Sequence, residues 1–382
     1  MKKVGIITIN DNKNYGNRLQ CFALQNYLKR FDCFSENILF TYFDDSKYIK
    51  YEQSKLIALK VAIAKIGIVK SLLNKVKPSD KADNKPRQTD DATEMRIKAF
   101  EDFNRKYICE SEDMIEGDYV PKQIKRKYDY FVAGSDQIWN RTFGYGTKIS
   151  YLQFAPKKKR IAISASFGVD EMPEQFKNQA RHYLDGMHFI SVREETGRQI
   201  VRELTGNDCE VFLDPTMLVS PDVYSPLLES AKAVLPENYV LCFFLGELSD
   251  KRKGFIERFA AEKGCQTVYL NSPDYPEQFV CDPCDFLKAI KNCRYFFTDS
   301  FHGCVFSILF QRQLFAMERE GKTVKMSGRI RTLFEKFGLT DRLVCEDDTL
   351  PEPISETRFE KIFAILEDER KRTTDILSQI LK

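Results

Sequence analysis

Short apolar runs that alternate with stretches of helical periodicity are the feature that most constrains the fold of this chain. Strands that alternate with helices form parallel sheets covered by helices on both faces. Ligands of such sheets bind beyond the carboxyl ends of the strands, so we expect functional residues directly after them. The predicted strands are Val4–Ile9, Tyr128–Ala133, Arg160–Ser164, His188–Val192, Tyr239–Leu245, Thr267–Leu270, Tyr295–Thr298 and Leu314–Met317.

The length of 382 residues exceeds that of an ordinary single domain, which favours two lobes with a cleft between them. The alternation lapses between Asp214 and Pro236, where four prolines indicate a crossover between the lobes. We therefore predict an α/β protein with two Rossmann-like lobes. The predicted units are an N-terminal lobe over residues 1–214, a second lobe over 215–350 and a C-terminal helical segment over 351–382.

Composition limits the functions open to the chain. A hydrophobic fraction of 43 % and a charged fraction of 30 % are typical of a globular protein. The formal net charge is only +3, which argues against nucleic acid as a partner. Met1 and the residues after it lead directly into the first predicted strand without the apolar region of a signal peptide, so we expect a cytoplasmic protein.

Most of the 11 cysteines lie in apolar runs, where we expect them to pack as reduced core residues. Cys281 and Cys284 form a CxxC pattern, but no second pair and no histidine cluster in the sequence completes a zinc site. The sequence therefore predicts neither a metal site nor a cofactor.

Residues 47–93 interrupt the alternation and are predicted to be a basic insertion in the first lobe. Between Lys47 and Lys77 the insertion carries eight lysines and one glutamate among apolar residues. Five of the lysines recur every five residues, which scatters them around a helix instead of forming one basic face. Two alternatives stay open for 47–77: a solvated helical insertion, or peripheral contact with the inner, anionic face of a membrane.

The strongest functional signal is the segment Thr298–Gly303, which ends a predicted strand and begins a helix. Ser300 is placed as the N-cap, and a helix start offers N–H groups and partial positive charge to an anion. Gly303 would let the anion approach the backbone, and His302 could donate a hydrogen bond or a proton to it. The alternative is a histidine that only caps a satisfied turn.

A second polar turn follows the strand Tyr128–Ala133. Asp136 could accept a proton from a sugar hydroxyl, while Gln137 and Asn140 offer amide contacts. Trp139 offers a flat face to a sugar ring. The alternatives are an Asx-turn at Asp136 and a purely core position for Trp139.

Basic residues follow two further predicted strands. Arg193 could bind a carboxylate or phosphate bidentately, and its alternative is a salt bridge to a neighbouring acidic residue. The acidic residues weighed for that bridge are Glu194, Glu195 and Asp214. A later basic cluster, expected to add charge to the same cleft, comprises Lys322, Lys325, Arg329 and Arg331.

Taken in order, these motifs resemble the polysaccharide pyruvyltransferase family. The matching segments are Asn14–Gly16, Leu19–Gln20, Ala23–Gln25, Gly134–Trp139, Ser191–Glu194, Asp214–Thr216 and Thr298–Gly303. The resemblance implies a glycosyltransferase-B-like arrangement of the two lobes. It also implies phosphoenolpyruvate as a co-substrate and a pyruvate ketal on a hexose of a surface-polysaccharide precursor as the product. The reaction it implies needs no metal.

The resemblance divides the candidate residues between two substrates. The expected donor site comprises Arg193, Ser300, Phe301, His302, Gly303, Lys325 and Arg329, with Arg331 as the alternative to Arg329. The expected acceptor site comprises Asn14, Gly16, Asn17, Gln137, Trp139 and Asn140. We expect His302 to act as the acid, Asp136 to activate the acceptor hydroxyl and Arg193 to hold the donor's anionic groups.

Two other functions stay open at this point. A nucleotide-sugar glycosyltransferase of the same architecture would place its diphosphate at the same helix start. A catalytically silent glycan-binding protein would bind sugar without releasing phosphate. For the transferase, the expected acceptor is a glycan precursor, which could be lipid-linked.

Overall fold

The computed structural model describes residues 1–11, 13–41, 91–272, 274–321 and 327–382. The basic segment 47–77 and the predicted cleft residues Lys322 and Lys325 lie outside these ranges, so the two alternatives for the segment stay open. The predicted end of the insertion at residue 93 falls within a helix that begins at Asp91.

Strands and helices alternate along most of the described chain. The strands are β1 (Lys2–Ile7), β2 (Cys33–Asn37), β3 (Phe40–Thr41), β4 (Ile115–Glu116), β5 (Tyr130–Ala133), β6 (Arg160–Ala165), β7 (Phe189–Val192), β8 (Glu210–Val211), β9 (Tyr239–Phe243), β10 (Gln266–Leu270), β11 (Tyr295–Thr298) and β12 (Gln313–Ala316). The α-helices are α1 (Tyr15–Leu28), α2 (Asp91–Tyr107), α3 (Lys122–Lys127), α4 (Glu174–Leu184), α5 (Glu195–Thr205), α6 (Pro215–Leu218), α7 (Ser225–Ser230), α8 (Asp250–Glu262), α9 (Pro276–Phe279), α10 (Pro283–Asn292), α11 (Phe301–Leu309), α12 (Ser327–Phe337) and α13 (Glu356–Ile380).

The first lobe is built on a six-stranded parallel sheet with the strand order β2-β1-β5-β6-β7-β8. The strand order reverses between β1 and β5. From β1 the chain continues to β2 at one edge of the sheet, whereas from β5 it continues through β6 and β7 to β8 at the other edge. Val4 pairs with Tyr130 and Ile7 with Ala133, so the two strands end at the same edge of the sheet. A ligand site is expected beyond that edge.

The second lobe contains a four-stranded parallel sheet with the order β10-β9-β11-β12. Here the reversal lies between β9 and β11, where Phe243 pairs with Thr298 at the carboxyl ends of both strands. The second lobe therefore has its own expected ligand position, at the loops after β9 and β11.

All eight predicted runs contain strands, but two strands of the first sheet were missed. Strand β2 carries polar side chains on its buried positions, so it lacks an apolar signal. Glu36 is only 8 % exposed because it accepts a hydrogen bond from the Tyr128 hydroxyl at 2.9 Å and pairs with Lys127 at 2.6 Å. Strand β8 spans two residues, too short for a periodicity to show.

A shared core joins the two lobes beneath the cleft. The ring of Tyr15, at the start of α1, stacks on Phe286 of α10 with 4.7 Å between centroids. Phe286 packs in turn against Phe243 of β9 at 5.1 Å. One cluster of buried apolar residues therefore runs from β1 through α1 into the second sheet.

The C-terminal helix α13 crosses back from the second lobe to the first. Arg370 donates from Nε to the carbonyl of Met217 at 2.7 Å and from Nη2 to that of Val219 at 2.6 Å. The N-terminal strand is also tied to it, through a 2.9 Å bond from Lys2 Nζ to the carbonyl of Leu381. The predicted architecture, two Rossmann-like lobes in a glycosyltransferase-B-like arrangement, is confirmed.

Within the described ranges, none of the helices combines the length and the apolar character needed to cross a membrane. The cysteines, all of which lie in described residues, are free thiols, and Cys281 and Cys284 are both buried.

Candidate functional site

A cavity of about 410 Å³ opens where the two strand-order reversals face each other. Its walls contain eight of the predicted site residues: Asn14, Asn17, Asp136, Gln137, Ser300, Phe301, His302 and Arg329. Six further wall residues were not predicted: Ile9, Asp11, Phe143, Tyr145, Leu245 and Arg319. Both lobes contribute, because the loops after β1 and β5 face those after β9 and β11.

The second-lobe wall is formed by the start of α11. Ser300 is the N-cap, and its Oγ accepts a hydrogen bond from the Gly303 N–H at 3.3 Å. The N–H groups of Phe301 and His302 lie in the first turn of α11, where no preceding helical carbonyl can accept their hydrogen bonds. They are therefore available to a ligand. The dipole of α11 adds partial positive charge at this point.

His302 lies between the lobes. A Cβ added to Gly16 would be 2.1 Å from His302 Nδ1, so only glycine at position 16 leaves room for the imidazole. On its other side, His302 Nε2 is 3.6 Å from Asp214 Oδ2. When protonated, His302 therefore pairs with a carboxylate of the first lobe.

Asp136 is the first-lobe carboxylate in the cavity wall. Its Oδ2 accepts from Asn17 Nδ2 at 3.1 Å, and its Oδ1 accepts from Arg193 Nη2 at 3.2 Å. Burial would raise the pKa of Asp136, but the charges of Arg193, His302 and Arg329, together with the Asn17 hydrogen bond, outweigh burial and lower it. The carboxylate is therefore ionised at neutral pH and acts as a fixed hydrogen-bond acceptor.

Arg193 lies behind the cavity wall, which corrects the prediction that it contacts the donor directly. Its side chain is 1 % exposed, with Nη1 2.7 Å from Asp214 Oδ2 and the guanidinium 4.4 Å from the ring centre of Phe301. The alternative weighed for this residue, a salt bridge to Asp214, is the arrangement in the structure. Arg193 therefore positions Asp136 and Phe301.

Asp214 was predicted only as part of a motif and as one possible partner of Arg193, but in the structure it also contacts His302. Besides Arg193, it accepts from Ser135 Oγ at 2.8 Å and from the N–H of Thr216 at 3.0 Å. Burial opposes ionisation, but His302, Arg193 and the hydrogen bonds hold the pKa of Asp214 far below its usual range. Because Asp214 contacts both Arg193 and His302, it links the two lobes.

Two members of the predicted acceptor site, both in the turn after β5, do not line the cavity. Trp139 is fully buried, with Tyr151 stacked on it at 4.8 Å and Phe167 at 5.1 Å, so it is a core residue and offers no face to a sugar. Asn140 is also fully buried and caps the next turn by accepting from the Thr142 N–H at 2.9 Å.

Both glycines assigned to the site serve packing. Gly16 makes room for His302. Gly303 faces β11, where an added Cβ would lie 2.9 Å from Thr298 Oγ1. It therefore allows α11 to approach the sheet and does not face an anion.

Arg329, and not Arg331, occupies the cavity wall. The Arg329 side chain is 5 % exposed and its Nη1 is 3.8 Å from Asp136 Oδ1, whereas Arg331 is exposed on the far side of α12. When the side-chain amide oxygen of Gln137 is turned towards Arg329, it accepts hydrogen bonds from Nη1 at 3.1 Å and from Nη2 at 2.9 Å. Burial and the nearby charge of Arg193 lower the pKa of Arg329 to about 9, so an anion bound beside it would stabilise its charged form.

The fold and the cavity together define a class: a glycosyltransferase-B-like protein with two α/β lobes and, between them, a cavity lined by two arginines, two aspartates and a histidine. The family model described as polysaccharide pyruvyl transferase matches residues 14–321 of the 382. This chain belongs to the polysaccharide pyruvyl transferase family.

Several solved structures resemble the chain over nearly its whole length at low identity. They include the UDP-GlcNAc 2-epimerase from Methanocaldococcus jannaschii, at 12 % identity and a TM-score of 0.45 over 99 % of both chains. The UDP-N-acetylglucosamine 2-epimerase from Rickettsia bellii is 10 % identical, with a TM-score of 0.43 over 100 % of this chain and 97 % of that one. The ADP-heptose lps heptosyltransferase II of E. coli is 12 % identical, with a TM-score of 0.34 over 96 % and 99 %. Among curated proteins, none matches the sequence significantly.

Proposed function

We propose that this protein transfers the pyruvyl group of phosphoenolpyruvate to a hexose of a polysaccharide precursor, forming a ketal and releasing phosphate. The observation that carries the proposal is the composition of the cavity in a member of this family. One cavity brings together a helix start, a histidine, two arginines and two carboxylates. These groups match an anionic donor whose reaction needs both a proton source and a hydroxyl acceptor.

The reaction balances without another reactant. Protonation of the methylene carbon creates a cationic centre at C2, and one sugar hydroxyl adds to it. The bond from C2 to the phosphate oxygen then breaks, and a neighbouring hydroxyl closes the ketal. The two sugar hydroxyls release two protons. One returns to the acid that protonated the methylene carbon, and the other leaves with the phosphate.

His302 is the proton source in this proposal. Its support is the position in the cavity wall at the start of α11, with Nε2 3.6 Å from Asp214 Oδ2. Asp136, ionised and fixed by Asn17 and Arg193, accepts the hydrogen bond of the attacking hydroxyl and stabilises the cationic centre. General acid–base assistance of this kind contributes about 10² to 10⁴ in rate.

The donor's negative charge is balanced by arginine side chains and the helix start, so the proposed reaction needs no divalent cation. Activity should therefore survive treatment with EDTA. Loss of activity with EDTA and its recovery on adding magnesium would contradict this part of the proposal.

The decisive experiment measures phosphate release from phosphoenolpyruvate with a panel of galactosyl, glucosyl and mannosyl lipid-linked acceptors. We expect release with at least one acceptor and the matching pyruvate ketal in the product by mass spectrometry. Turnover of a nucleotide sugar instead would identify a glycosyltransferase. Sugar binding without release of phosphate would identify a silent glycan-binding protein.

A lipid-linked acceptor and contact of segment 47–77 with an anionic membrane belong to the same proposal. The support is the local charge of eight lysines against one glutamate. Binding to anionic vesicles should weaken as salt screens the lysines, and salt-insensitive binding, or none, would favour the solvated insertion.

A further inference from the structure

Arg319 is a cavity residue that none of the motifs contains. It lies three residues beyond the end of β12, and its side chain is 7 % exposed. Its Nε donates to Asp299 Oδ2 at 3.0 Å, and its Nη2 is 3.5 Å from the carbonyl oxygen of Asp299. The guanidinium is therefore held beside the residue that directly precedes Ser300, the N-cap of α11.

Asp299 is itself fixed by backbone groups. Its Oδ1 accepts from the N–H of Leu245 at 2.7 Å and its Oδ2 from that of Gly246 at 2.8 Å. A Cβ on Gly246 would lie 2.4 Å from Arg319 Cγ, so the loop after β9 closes directly over the arginine stem. Arg319 thus has a defined position before any ligand arrives.

The arginines around the cavity differ in their surroundings. Arg193 lies behind the wall, between Asp136 and Asp214. Arg329 lies on the first-lobe side of the cavity, near Asp136 and Gln137. Arg319 lies on the second-lobe side, next to the start of α11. Two guanidinium groups therefore line the cavity next to different neighbours, which suits a ligand with two separate acidic groups.

We propose that Arg319 and the N–H groups of Phe301 and His302 form the subsite for the donor's phosphate, while Arg329 binds the donor's carboxylate. Asp299 is a positioning residue that orients Arg319. This inference rests on the proposed function and adds the orientation of the donor to it. The carboxylate end then lies nearest Asp136, which places C2 between Asp136 and His302.

Binding of inorganic phosphate, pyruvate and phosphoenolpyruvate by calorimetry tests this orientation. Arg319→Met should weaken phosphate and phosphoenolpyruvate by about 10- to 100-fold and leave pyruvate nearly unchanged. Arg329→Met should weaken pyruvate and phosphoenolpyruvate by a similar factor and leave phosphate nearly unchanged. Arg319→Lys should recover only part of the loss, because an ammonium group lacks the planar pair of donors. Arg294→Met, at an exposed position of the same lobe, is the matched control and should bind all three ligands as the parent does.

Asp299→Asn gives an independent test of positioning. We expect KM for phosphoenolpyruvate to rise about 10-fold while KM for the acceptor and kcat change little, a split that general destabilisation would not produce.

The outcomes separate the subsite from the function. Suppose that the parent transfers pyruvate and that Arg319→Met binds phosphate as tightly as the parent does. The assignment of Arg319 to the phosphate is then overturned, and the proposed function stands. If Arg329→Met loses phosphate and Arg319→Met loses pyruvate, the orientation is reversed and the inference is likewise overturned. If the parent binds neither phosphoenolpyruvate nor phosphate, the proposed function fails and the subsite with it.

Discussion

His302 of the second lobe lies 3.6 Å from Asp214 of the first, and this contact connects the cavity to the ion pairs behind it. Arg193 holds both Asp214 and Asp136, at 2.7 and 3.2 Å. At the scale of single residues, basic and acidic side chains therefore alternate through the site, and each one holds its neighbour in position. Removing one member leaves a buried charge without its partner, which is costly.

Replacing His302 by Gln tests the proton source. The amide still donates a hydrogen bond, but it cannot transfer a proton at neutral pH. We expect kcat to fall about 10²- to 10⁴-fold, with the affinity for phosphoenolpyruvate changed only a few-fold. Steady-state kinetics and calorimetry measure the two quantities separately. His182→Gln, at an exposed position, serves as the control, and parental turnover in a folded His302→Gln variant would reject the assignment.

Asp214→Asn tests the ion pair and its pH dependence. Because the folded pKa of Asp214 is depressed, its carboxylate contributes stability above the unfolded pKa of about 4, and this contribution is lost as pH falls through the folded pKa. The variant should be less stable than the parent by about 3 to 5 kcal/mol at pH 7.

The stability difference between the parent and Asp214→Asn should shrink in acid, once the parental carboxylate begins to be protonated. Urea unfolding at several pH values gives the comparison. Asp222→Asn, at an exposed position just after α6, should show neither effect. A difference that stays constant down to the acid unfolding of the parent would mean that the charge of Asp214 is unimportant.

At the scale of elements, α1 and α11 approach each other at their N-termini. Asn14 caps α1 by accepting from the Asn17 N–H at 3.1 Å, and Ser300 caps α11 in the same way. The close approach of His302 to Gly16 fixes the distance between the two helix starts. Both caps stabilise the first turn of their helices, and the contact between Gly16 and His302 brings the two helix starts together.

Gly16→Ala tests this approach. Alanine favours a helix more than glycine does, by up to about 1 kcal/mol, but the new methyl group would displace His302. We expect kcat to fall about 100-fold, the loss typical of a misplaced catalytic group, in a protein that remains folded. Gly254→Ala in α8, where an added Cβ meets only the far end of the Arg258 side chain at 3.4 Å, is the control and should keep full activity. Full activity in Gly16→Ala would show that His302 tolerates the displacement.

At the scale of the whole molecule, α13 packs against the segment that follows Asp214, behind the cavity. Arg370 binds the carbonyls of Met217 and Val219 at the C-terminal end of the short helix α6 that follows Asp214. Arg370 is only 7 % exposed, so both contacts are shielded from water. The helix thereby supports the crossover on which both lobes and Asp214 depend.

Arg370→Met should lower the free energy of unfolding by about 2 to 3 kcal/mol, because two buried carbonyls lose a charged donor. Denaturant unfolding measures the change, and Lys371→Met, the exposed neighbour, should be nearly neutral. Equal stability of the two variants would show that α13 packs through its apolar face alone.

The sequence by itself determined the class of fold and the edge of the sheets at which the site lies. Both depend on physics local to the chain: the periodicity of apolar residues reports strands and helices, and polar residues directly after strands come together because parallel strands end at one edge. Asp136, Ser300 and His302 were found in this way, and they do line the cavity.

Only the tertiary structure decided which side chains of these turns face the ligand. Trp139 and Arg193 carry the right chemistry, but the first is covered by Tyr151 and the second is held by Asp214, a partner 21 residues away. Arg319 carries no motif, and it enters the cavity only because Asp299 and the loop after β9 hold it there. Burial and pairing are set by residues distant in sequence. No local pattern could therefore show whether Trp139, Arg193 and Arg319 face the cavity.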